Sequence, residues 1–279
     1  MAGPRTGARC GGRESAPLGV PMGLNLLAIS AGNTRTCFGS FLDGRLTGCV
    51  AISNGDVDNF RAAIEEAYAP LSSLDDTLVL FGSVQPRITE RIRRHVPQIT
   101  GRKVLRVEED VPIPIGRQLD PEAMVGDDRL LNAAAAYDTL RQACIVVDAG
   151  TAVTVDLIDG AGTFHGGAIA PGAQMMLDAM THRTAQLPEI ELAVPVEPIG
   201  HNTQQAMLAG VYYGIRGMVR ELVERYAEVA GAFPTVVATG GNADLLLGGL
   251  DIVERFVPDL TLLGLAVTIK RSLANSEDC

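Results

Sequence analysis

Apolar positions in the first third of the chain follow a strand-like pattern. Residues 26–29 form a continuous apolar run, and residues 36–42 and 46–52 alternate on either side of Asp43-Gly44. Asp-Gly between two alternating runs is a strong signal for a β-hairpin. Helical spacing and short apolar runs then alternate, which predicts helices at 57–68 and 86–96 and strands at 77–81 and 103–107. This order predicts an α/β domain with a mixed sheet.

The second half repeats this pattern. After a long helical stretch at 121–143, an apolar strand ends in Asp148-Ala149-Gly150-Thr151, and two further strands follow. Ser30 holds the place of Asp148 in the first half, so the repeat is 148 − 30 = 118 residues long. A duplicated α/β unit with two equivalent loops facing one cleft is the simplest interpretation. We expect an N-terminal domain over 23–118 and a C-terminal domain over 119–279.

A row of glycines lies on the long helix predicted from residue 203 to about 229. Gly210, Gly214 and Gly217 share one face of that helix. Glycine in a helix interior costs about 1 kcal/mol relative to alanine, so such a row indicates that another backbone approaches closely. Packing within the chain and a subunit interface both explain the row.

Composition narrows the class of protein. The chain has 279 residues, 47% of them hydrophobic, which is enough for two domains with cores. A formal net charge of −10 disfavours nucleic acid and anionic membranes as partners. No apolar run reaches the roughly 18 residues of a membrane span, and the five scattered cysteines are interpreted as reduced thiols of a cytoplasmic protein. Residues 1–22 lack periodicity and are interpreted as a disordered or non-native extension, with Met22 as an alternative start.

Three glycine loops at strand ends are candidates for binding phosphate. Gly32-Asn33-Thr34 and Gly150-Thr151 each follow an apolar strand and would present backbone N–H groups to an anion. Asp148 is suited to hold a divalent cation. Gly240 and Gly241 follow a third strand. One such loop is usually an ordinary turn, but three together predict a phosphate-binding cleft.

A second candidate feature lies early in the helix predicted at 121–143. Gly126 and Asp127 precede Asp128 and Arg129. Successive residues of a helix are rotated by 100°, so the carboxylates of Asp127 and Asp128 cannot serve one site together. Asp128 beside Arg129 suits phosphorylation of a hydroxy acid, in which the carboxylate accepts the hydroxyl proton and the guanidinium holds the acid. The alternative is that the acidic residues only favour a helix N-terminus, with Arg129 in a surface salt bridge.

Taken in order, these segments resemble the type III pantothenate kinases of the acetate and sugar kinase/Hsp70/actin superfamily. The resemblance extends from Leu26 to about Lys270. It implies a duplicated actin-like (ribonuclease H-like) α/β fold, with two domains and mixed sheets around a nucleotide cleft. The matching segments are Gly32-Asn33-Thr34, Gly126-x-Asp128-Arg129-Leu130 with Asn132, Asp148-x-Gly150-Thr151-Ala152, Gly166 to Gly172, Arg183-Thr184-Ala185-x-Leu187-Pro188, Asn202-Thr203 with Gly210 and Tyr213-Gly214, and Thr239-Gly240-Gly241.

The resemblance implies transfer of the ATP γ-phosphoryl group to the primary hydroxyl of pantothenate, the first step of coenzyme A synthesis. It also implies a homodimer that needs Mg²⁺ and a monovalent cation, K⁺ or NH₄⁺. Asp128 would be the general base and Asp148 the metal ligand. The implied substrate contacts are Gly126, Arg129 and, from the other subunit, Thr184; the implied nucleotide contacts are Ser30, Gly32, Asn33, Thr34, Gly150, Thr151, Gly240 and Gly241.

Three positions depart from the family pattern. The family has Asp where this chain has Ser30, a small residue where it has Asp127, and often Tyr where it has Gln118. Loss of an electrostatic group at a reacting phosphate typically costs on the order of 10²–10³ in rate. The alternative function is therefore a catalytically impaired homologue that binds nucleotide or pantothenate as a regulatory protein.

Overall fold

A computed structural model describes residues 23–277, so the predicted extension at 1–22 lies outside the described residues. The described chain forms two mixed sheets. The first has the strand order β3-β2-β1-β4-β5. Its strands are β1 (Leu26–Ala31), β2 (Arg35–Leu42), β3 (Arg45–Ser53), β4 (Leu78–Ser83) and β5 (Val104–Arg106).

The second sheet has the order β11-β10-β7-β8-β9-β6. Its strands are β6 (Gly116–Arg117), β7 (Cys144–Ala149), β8 (Ala152–Ile158), β9 (Thr163–Pro171), β10 (Thr235–Thr239) and β11 (Arg255–Phe256). The helices are α1 (Phe60–Tyr68), α2 (Pro86–Thr100), α3 (Asp127–Leu140), α4 (Ala173–Arg183), α5 (Thr203–Ala230), α6 (Ala243–Leu247) and α7 (Leu260–Glu277). None of these helices has the length and apolarity needed to cross a membrane.

The topology confirms the duplication. In each sheet an antiparallel meander of three strands, β1-β2-β3 or β7-β8-β9, continues on its other side into two parallel strands. Ser30 pairs with Cys37 of β2, and Asp148 pairs with Thr154 of β8, so the two positions hold equivalent places in their hairpins. The repeat predicted from the sequence is therefore present in the backbone pairing.

Contacts divide the chain into two compact units, each built from separate segments. The first unit contains residues 23–115, 121–139 and 259–277, and the second contains 116–120 and 140–258. This division differs from the boundary expected after residue 118, because α3 and α7 join the first sheet. Leu131 of α3 contacts Gly82 of β4, and Leu262 of α7 packs where a Cβ at Gly39 of β2 would lie, 3.0 Å away.

Each unit has its own apolar core. In the first unit α1 and α2 cover one face of the sheet, where the rings of Phe38 and Phe60 meet edge to face at 5.7 Å. In the second unit α5 lies along the sheet, burying Ile215 and Val219 completely. Truncation of a fully buried aromatic such as Phe81 would cost about 3–5 kcal/mol.

The predicted long helix starts later than expected. The pattern at 121–143 predicted one helix, but α3 spans Asp127–Leu140 and residues 121–126 are turn and loop. Pro121 and Met124 are exposed, so no apolar face holds this segment against a sheet. The helix begins where Leu130 and Leu131 reach the core.

Candidate active site

The β1–β2 loop of the first unit contains four predicted nucleotide contacts. Ser30 is half-buried near the end of β1, in register with Gly82 on β4. Gly32, Asn33 and Thr34 form the loop, and the Gly32 N–H donates to the carbonyl oxygen of Arg35 at 3.0 Å. Asn33 and Thr34 are exposed. The loop therefore presents its residues at the carboxyl end of a buried strand, as the sequence predicts.

The predicted base lies at the first turn of α3. The Asp128 carboxylate accepts the backbone N–H of Arg129 at 2.8 Å. A Cβ at Gly126 would lie 2.6 Å from Asp128 Oδ1, so only glycine leaves room for this carboxylate conformation. Both Asp128 and Arg129 are half-buried. The segment Gly126-x-Asp128-Arg129 thus forms one local structure, held at the start of a helix.

Asp127 occupies a different environment from Asp128. It contacts the end of β4, where its Cβ lies 3.8 Å from the position of a Cβ at Gly82, and its carboxylate accepts the backbone N–H of Ser83. Burial raises the pKa of Asp127 above its usual value, while the positive charge of Arg106 and the Ser83 hydrogen bond act in the opposite direction. Arg106 lies on the neighbouring strand β5, in register with Phe81. The extra carboxylate therefore has a cation and a backbone donor in the same unit.

The second unit brings five further predicted residues together. Asp148 on β7 is in parallel register with Thr239 on β10. Gly240 has φ +97°, and a Cβ there would overlap the Asp148 carboxylate and the backbone of Ala149. A Cβ at Gly150 would lie 3.4 Å from Asp148 Oδ1. Two glycine backbones thus form a cradle around one carboxylate, next to the exposed residues Thr151 and Gly241.

The Gly150-Thr151 loop is fixed by backbone hydrogen bonds. The Gly150 N–H donates to the carbonyl oxygen of Ala152 at 2.9 Å, and the Gly172 N–H donates to that of Thr151 at 3.0 Å. A Cβ at Gly172 would overlap the carbonyl oxygens of both Gly150 and Thr151. The glycine-rich turn before α4 therefore does more than bend the chain, because it holds this loop.

Asp148 and its neighbour Thr154 offer oxygen ligands that suit a cation. Thr154 is directly opposite Asp148 in the β7–β8 hairpin, so both side chains point to the same face of the sheet. The Thr154 hydroxyl oxygen is buried and has no hydrogen-bond partner among residues 23–277. Hard cations such as Mg²⁺ and K⁺ prefer carboxylate and hydroxyl oxygens. No group of three or more His, Cys, Asp or Glu side chains at metal-binding distance occurs among the described residues.

The predicted substrate contact Thr184 lies away from these loops, as does Gln118. Thr184 is exposed at the C-terminus of α4, where its hydroxyl donates to the Met180 carbonyl at 2.9 Å. It follows Gly172 by 12 residues, which is about 18 Å along the helix. Gln118 follows β6 and is exposed, with its backbone N–H donating to Phe164 at 3.0 Å. Within its own unit, Thr184 is therefore not part of the Gly150-Thr151 loop or its immediate surroundings.

Comparisons with known proteins identify the family. The sequence profile of the type III pantothenate kinases matches residues 26–225. Type III pantothenate kinases from Rhodospirillum rubrum and Ruegeria pomeroyi are each 36% identical to the chain, over 88% and 90% of it and 98% of their own lengths. The chain belongs to the type III pantothenate kinase family. It is therefore a kinase, and the predicted family resemblance is confirmed.

Solved structures confirm the fold class. A conserved Baf-family protein from Campylobacter jejuni aligns with a TM-score of 0.56 at 17% identity, over 91% of this chain and all of that one. MreB5 of Spiroplasma citri bound to AMPPNP aligns with a TM-score of 0.52 at 11% identity, over 92% and 99% of the two chains. At such identities the likeness concerns the fold, and it supports the predicted actin-like architecture. The alternative of a regulatory binding protein gains no support from these comparisons.

Proposed function

We propose that this member of the type III pantothenate kinase family transfers the γ-phosphoryl group of ATP to the primary hydroxyl of pantothenate, giving 4'-phosphopantothenate for coenzyme A synthesis. One observation carries the proposal: the family match over residues 26–225 includes Gly126, Asp128, Arg129 and Asp148 in their expected order. The alignments with the two relatives at 36% identity span 98% of the length of each relative. The chemistry available at these residues fits phosphoryl transfer to a hydroxy acid.

Asp128 is the proposed general base and Arg129 the proposed clamp for the pantothenate carboxylate. A carboxylate near a bound hydroxyl accepts its proton as the oxygen attacks phosphorus, and an arginine holds a carboxylate through two parallel hydrogen bonds. Gly126 supports this arrangement because any side chain there would meet the Asp128 carboxylate. Thr184 is the proposed third substrate contact.

The glycine loops are the proposed phosphate contacts. Ser30, Gly32, Asn33 and Thr34 in the first unit, and Gly150, Thr151, Gly240 and Gly241 in the second, would line the ATP phosphates. The contacts would come from hydroxyls and from backbone N–H groups other than those of Gly32 and Gly150, which donate within their own hairpins. Asp148 would hold Mg²⁺, which neutralises charge on the phosphoryl oxygens when bound. The unpartnered Thr154 hydroxyl beside Asp148 supports a further oxygen-liganded monovalent cation, K⁺ or NH₄⁺. Titration of K⁺ against turnover tests this last point, and a rate independent of K⁺ and NH₄⁺ would contradict it.

A homodimer through the outer faces of α4 and α5 is also proposed. Nothing in the described chain lies within 4 Å of a Cβ at Gly210, Gly214 or Gly217, so packing within that part of the chain does not explain the glycine row. An open groove of about 600 Å³ between the two helices is lined by Met175, Met176, Met180 and Gly210, among others. A dimer would cover these apolar surfaces, and it would allow Thr184 to act in the partner's site.

The location of the protein is proposed to be the cytoplasm. Cys37, Cys49 and Cys144, which lie within the described residues, form no disulfide with one another. Disulfides are rare in the cytosol, so this state fits a reducing compartment. Cell fractionation checks the proposal, and recovery of the protein outside the cytoplasm would contradict it.

The activity is tested with purified protein, Mg²⁺, K⁺ and ATP, with and without pantothenate. We expect ADP release that depends on pantothenate, together with a product heavier than pantothenate by one phosphoryl group in mass spectrometry. A protein that is silent in turnover but melts at higher temperature with ATP or pantothenate would instead be a binding protein.

A further inference from the structure

The carbonyl oxygens of the β1–β2 loop are all held by one short region of the first unit. The Asn54 side-chain amide donates to the carbonyl oxygens of Gly32 at 2.8 Å and Asn33 at 3.0 Å. The backbone N–H of Asn54 donates to the Thr34 carbonyl at 2.9 Å. Gln85 adds a second donor to the Asn33 carbonyl at 3.1 Å. Every carbonyl of the three-residue loop thus has a donor from outside the loop.

Asn54 is itself fixed on both sides. The hydroxyl of Thr36, which is completely buried, donates to Asn54 Oδ1 at 2.7 Å and so determines that the Nδ2 end of the amide faces the loop. Arg91 of α2 donates to the Asn54 carbonyl at 3.1 Å. A side chain held in this way loses little further freedom when the loop binds a ligand.

In the corresponding loop of the second unit, a backbone N–H group holds one of the carbonyl oxygens. Gly150-Thr151 is one residue shorter than Gly32-Asn33-Thr34, and its Thr151 carbonyl is held by the Gly172 backbone N–H. Among residues 23–277, no backbone N–H donates to the carbonyl oxygen of Gly32 or Asn33, and the Asn54 amide supplies both hydrogen bonds. The two loops thus have carbonyl oxygens held by chemically different donors, a side-chain amide at Gly32 and Asn33 and a backbone N–H at Thr151.

We propose that Asn54 is a positioning residue for nucleotide binding, which keeps the carbonyl oxygens of Gly32 and Asn33 turned away from the phosphates. The inference rests on the proposed role of this loop in binding ATP. An anion-binding loop needs its N–H groups directed at the phosphate, and a carbonyl oxygen in their place repels it. Asn54 acts through the loop and does not itself contact the nucleotide.

The test compares Asn54→Asp, Asn54→Ala and Gln85→Ala with a control, Asn25→Ala. Asn54→Asp keeps the size of the side chain but replaces both donors with an acceptor. Asn25 directly precedes β1, at the end of the strand opposite the loop. Its side-chain amide donates to Asp76 at 3.0 Å, and its Oδ1 accepts from the Asp43 N–H at 3.2 Å. The readouts are the Kd of Mg-ATP by calorimetry, the KM values for ATP and pantothenate, and the melting temperature without ligand.

We expect the Kd and the KM for ATP to rise about tenfold or more in both Asn54 variants, since each loses two hydrogen bonds to the loop. Gln85→Ala removes one donor to the Asn33 carbonyl, at a half-buried position, and should raise the Kd and the KM for ATP about threefold. The KM for pantothenate should stay unchanged throughout. Asn25→Ala should lower the melting temperature without changing the Kd for ATP.

Three results overturn the inference or separate it from the proposed function. A Kd for ATP within twofold of wild type in Asn54→Asp and Gln85→Ala, whatever their melting temperatures, overturns it. Weakened ATP binding in these variants supports it even if the wild type binds ATP but fails to phosphorylate pantothenate, a result that contradicts only the proposed function. Failure of the wild type to bind Mg-ATP overturns both.

Discussion

At the scale of single residues, Asp127 shows how an unusual side chain is accommodated. Its carboxylate faces Arg106 and the Ser83 N–H, with the negative charges of Glu108 and Asp128 also near. Burial is the largest influence and raises its pKa. A carboxyl whose pKa is higher in the folded state binds its proton more tightly there, so its ionisation destabilises the fold as pH rises through this range.

Asp127→Asn should therefore be more stable than the wild type at pH 7, because the amide keeps an acceptor for Ser83 without a buried charge. The difference should shrink as pH falls and disappear below about 3.8, the ordinary pKa of the group. Melting temperatures from pH 3 to 8 measure it, with the exposed Asp75→Asn as control. A variant that is less stable at pH 7, or equally shifted at all pH values, would contradict this account.

Ser30 is the position at which the family resemblance implies an aspartate. It is half-buried beside Gly82, at the position equivalent to Asp148. Introducing a negative charge with Ser30→Asp should raise the pantothenate-dependent rate about 10²-fold and lower the Mg²⁺ concentration needed for half-maximal turnover. Ser73→Asp, which adds the same charge at an exposed position, is the control. An unchanged or lower rate in Ser30→Asp would show that the hydroxyl is fully competent.

How far single residues were predictable depends on whether their signal is local. Asp128 and Asp148 stand in short motifs beside glycines, so the chain itself marks them as candidates. Asn54 and Thr154 stand in no such motif. In the sequence, Asn54 resembles any polar residue that follows a strand. Their importance arises from partners far away in sequence, such as Gly32, 22 positions from Asn54.

At the scale of elements, buried strands were the most predictable. The continuous apolar runs of β1, β4, β7 and β10 allow few alternatives, since strands buried on both faces require them. The two-residue strands β6 and β11 have no apolar pattern and exist only because β9 and β10 offer a free edge. The assignment of α3 and α7 to the first unit likewise depends on contacts with β4 and β2 that no local pattern records.

The turn after β10 gives a prediction at this scale. Gly240 combines a positive φ of +97° with a Cβ position occupied by Asp148 and Ala149. Gly240→Ala should destabilise the protein by about 2–4 kcal/mol, through backbone strain and displacement of the neighbouring strand end. Urea unfolding measures the loss.

Gly249→Ala is the matched control for that experiment. Gly249 belongs to the same unit and has φ +70°, but nothing in the described chain lies within 4 Å of its Cβ position. It should cost only the strain, about 1 kcal/mol. Equal losses of unfolding free energy in the two variants would mean that the close approach of Gly240 to Asp148 contributes nothing to the cost of the substitution.

At the scale of the whole molecule, the outer face of α5 predicts self-association. Gly214 is exposed next to Tyr213, which is 43% exposed despite its size. Gly214→Arg should convert a dimer into a monomer of 29.4 kDa and reduce turnover, because a charged side chain blocks close approach of a second copy. Sedimentation equilibrium measures the mass, with Ala62→Arg on the exposed face of α1 as control. A wild type that is already monomeric at micromolar concentration would contradict the proposed interface.

The most direct test of the proposed mechanism is the pantothenate-dependent release of ADP by wild type, Asp128→Asn and Asp127→Asn. Asp128→Asn should lose a factor of about 10²–10⁴ in kcat, because an amide cannot accept the hydroxyl proton, while still binding pantothenate. Asp127→Asn, one residue away and anchored to Ser83, should keep turnover within a few-fold of the wild type. Turnover by Asp128→Asn within tenfold of the wild type would show that this carboxylate is not the base, and this result would contradict the proposed mechanism.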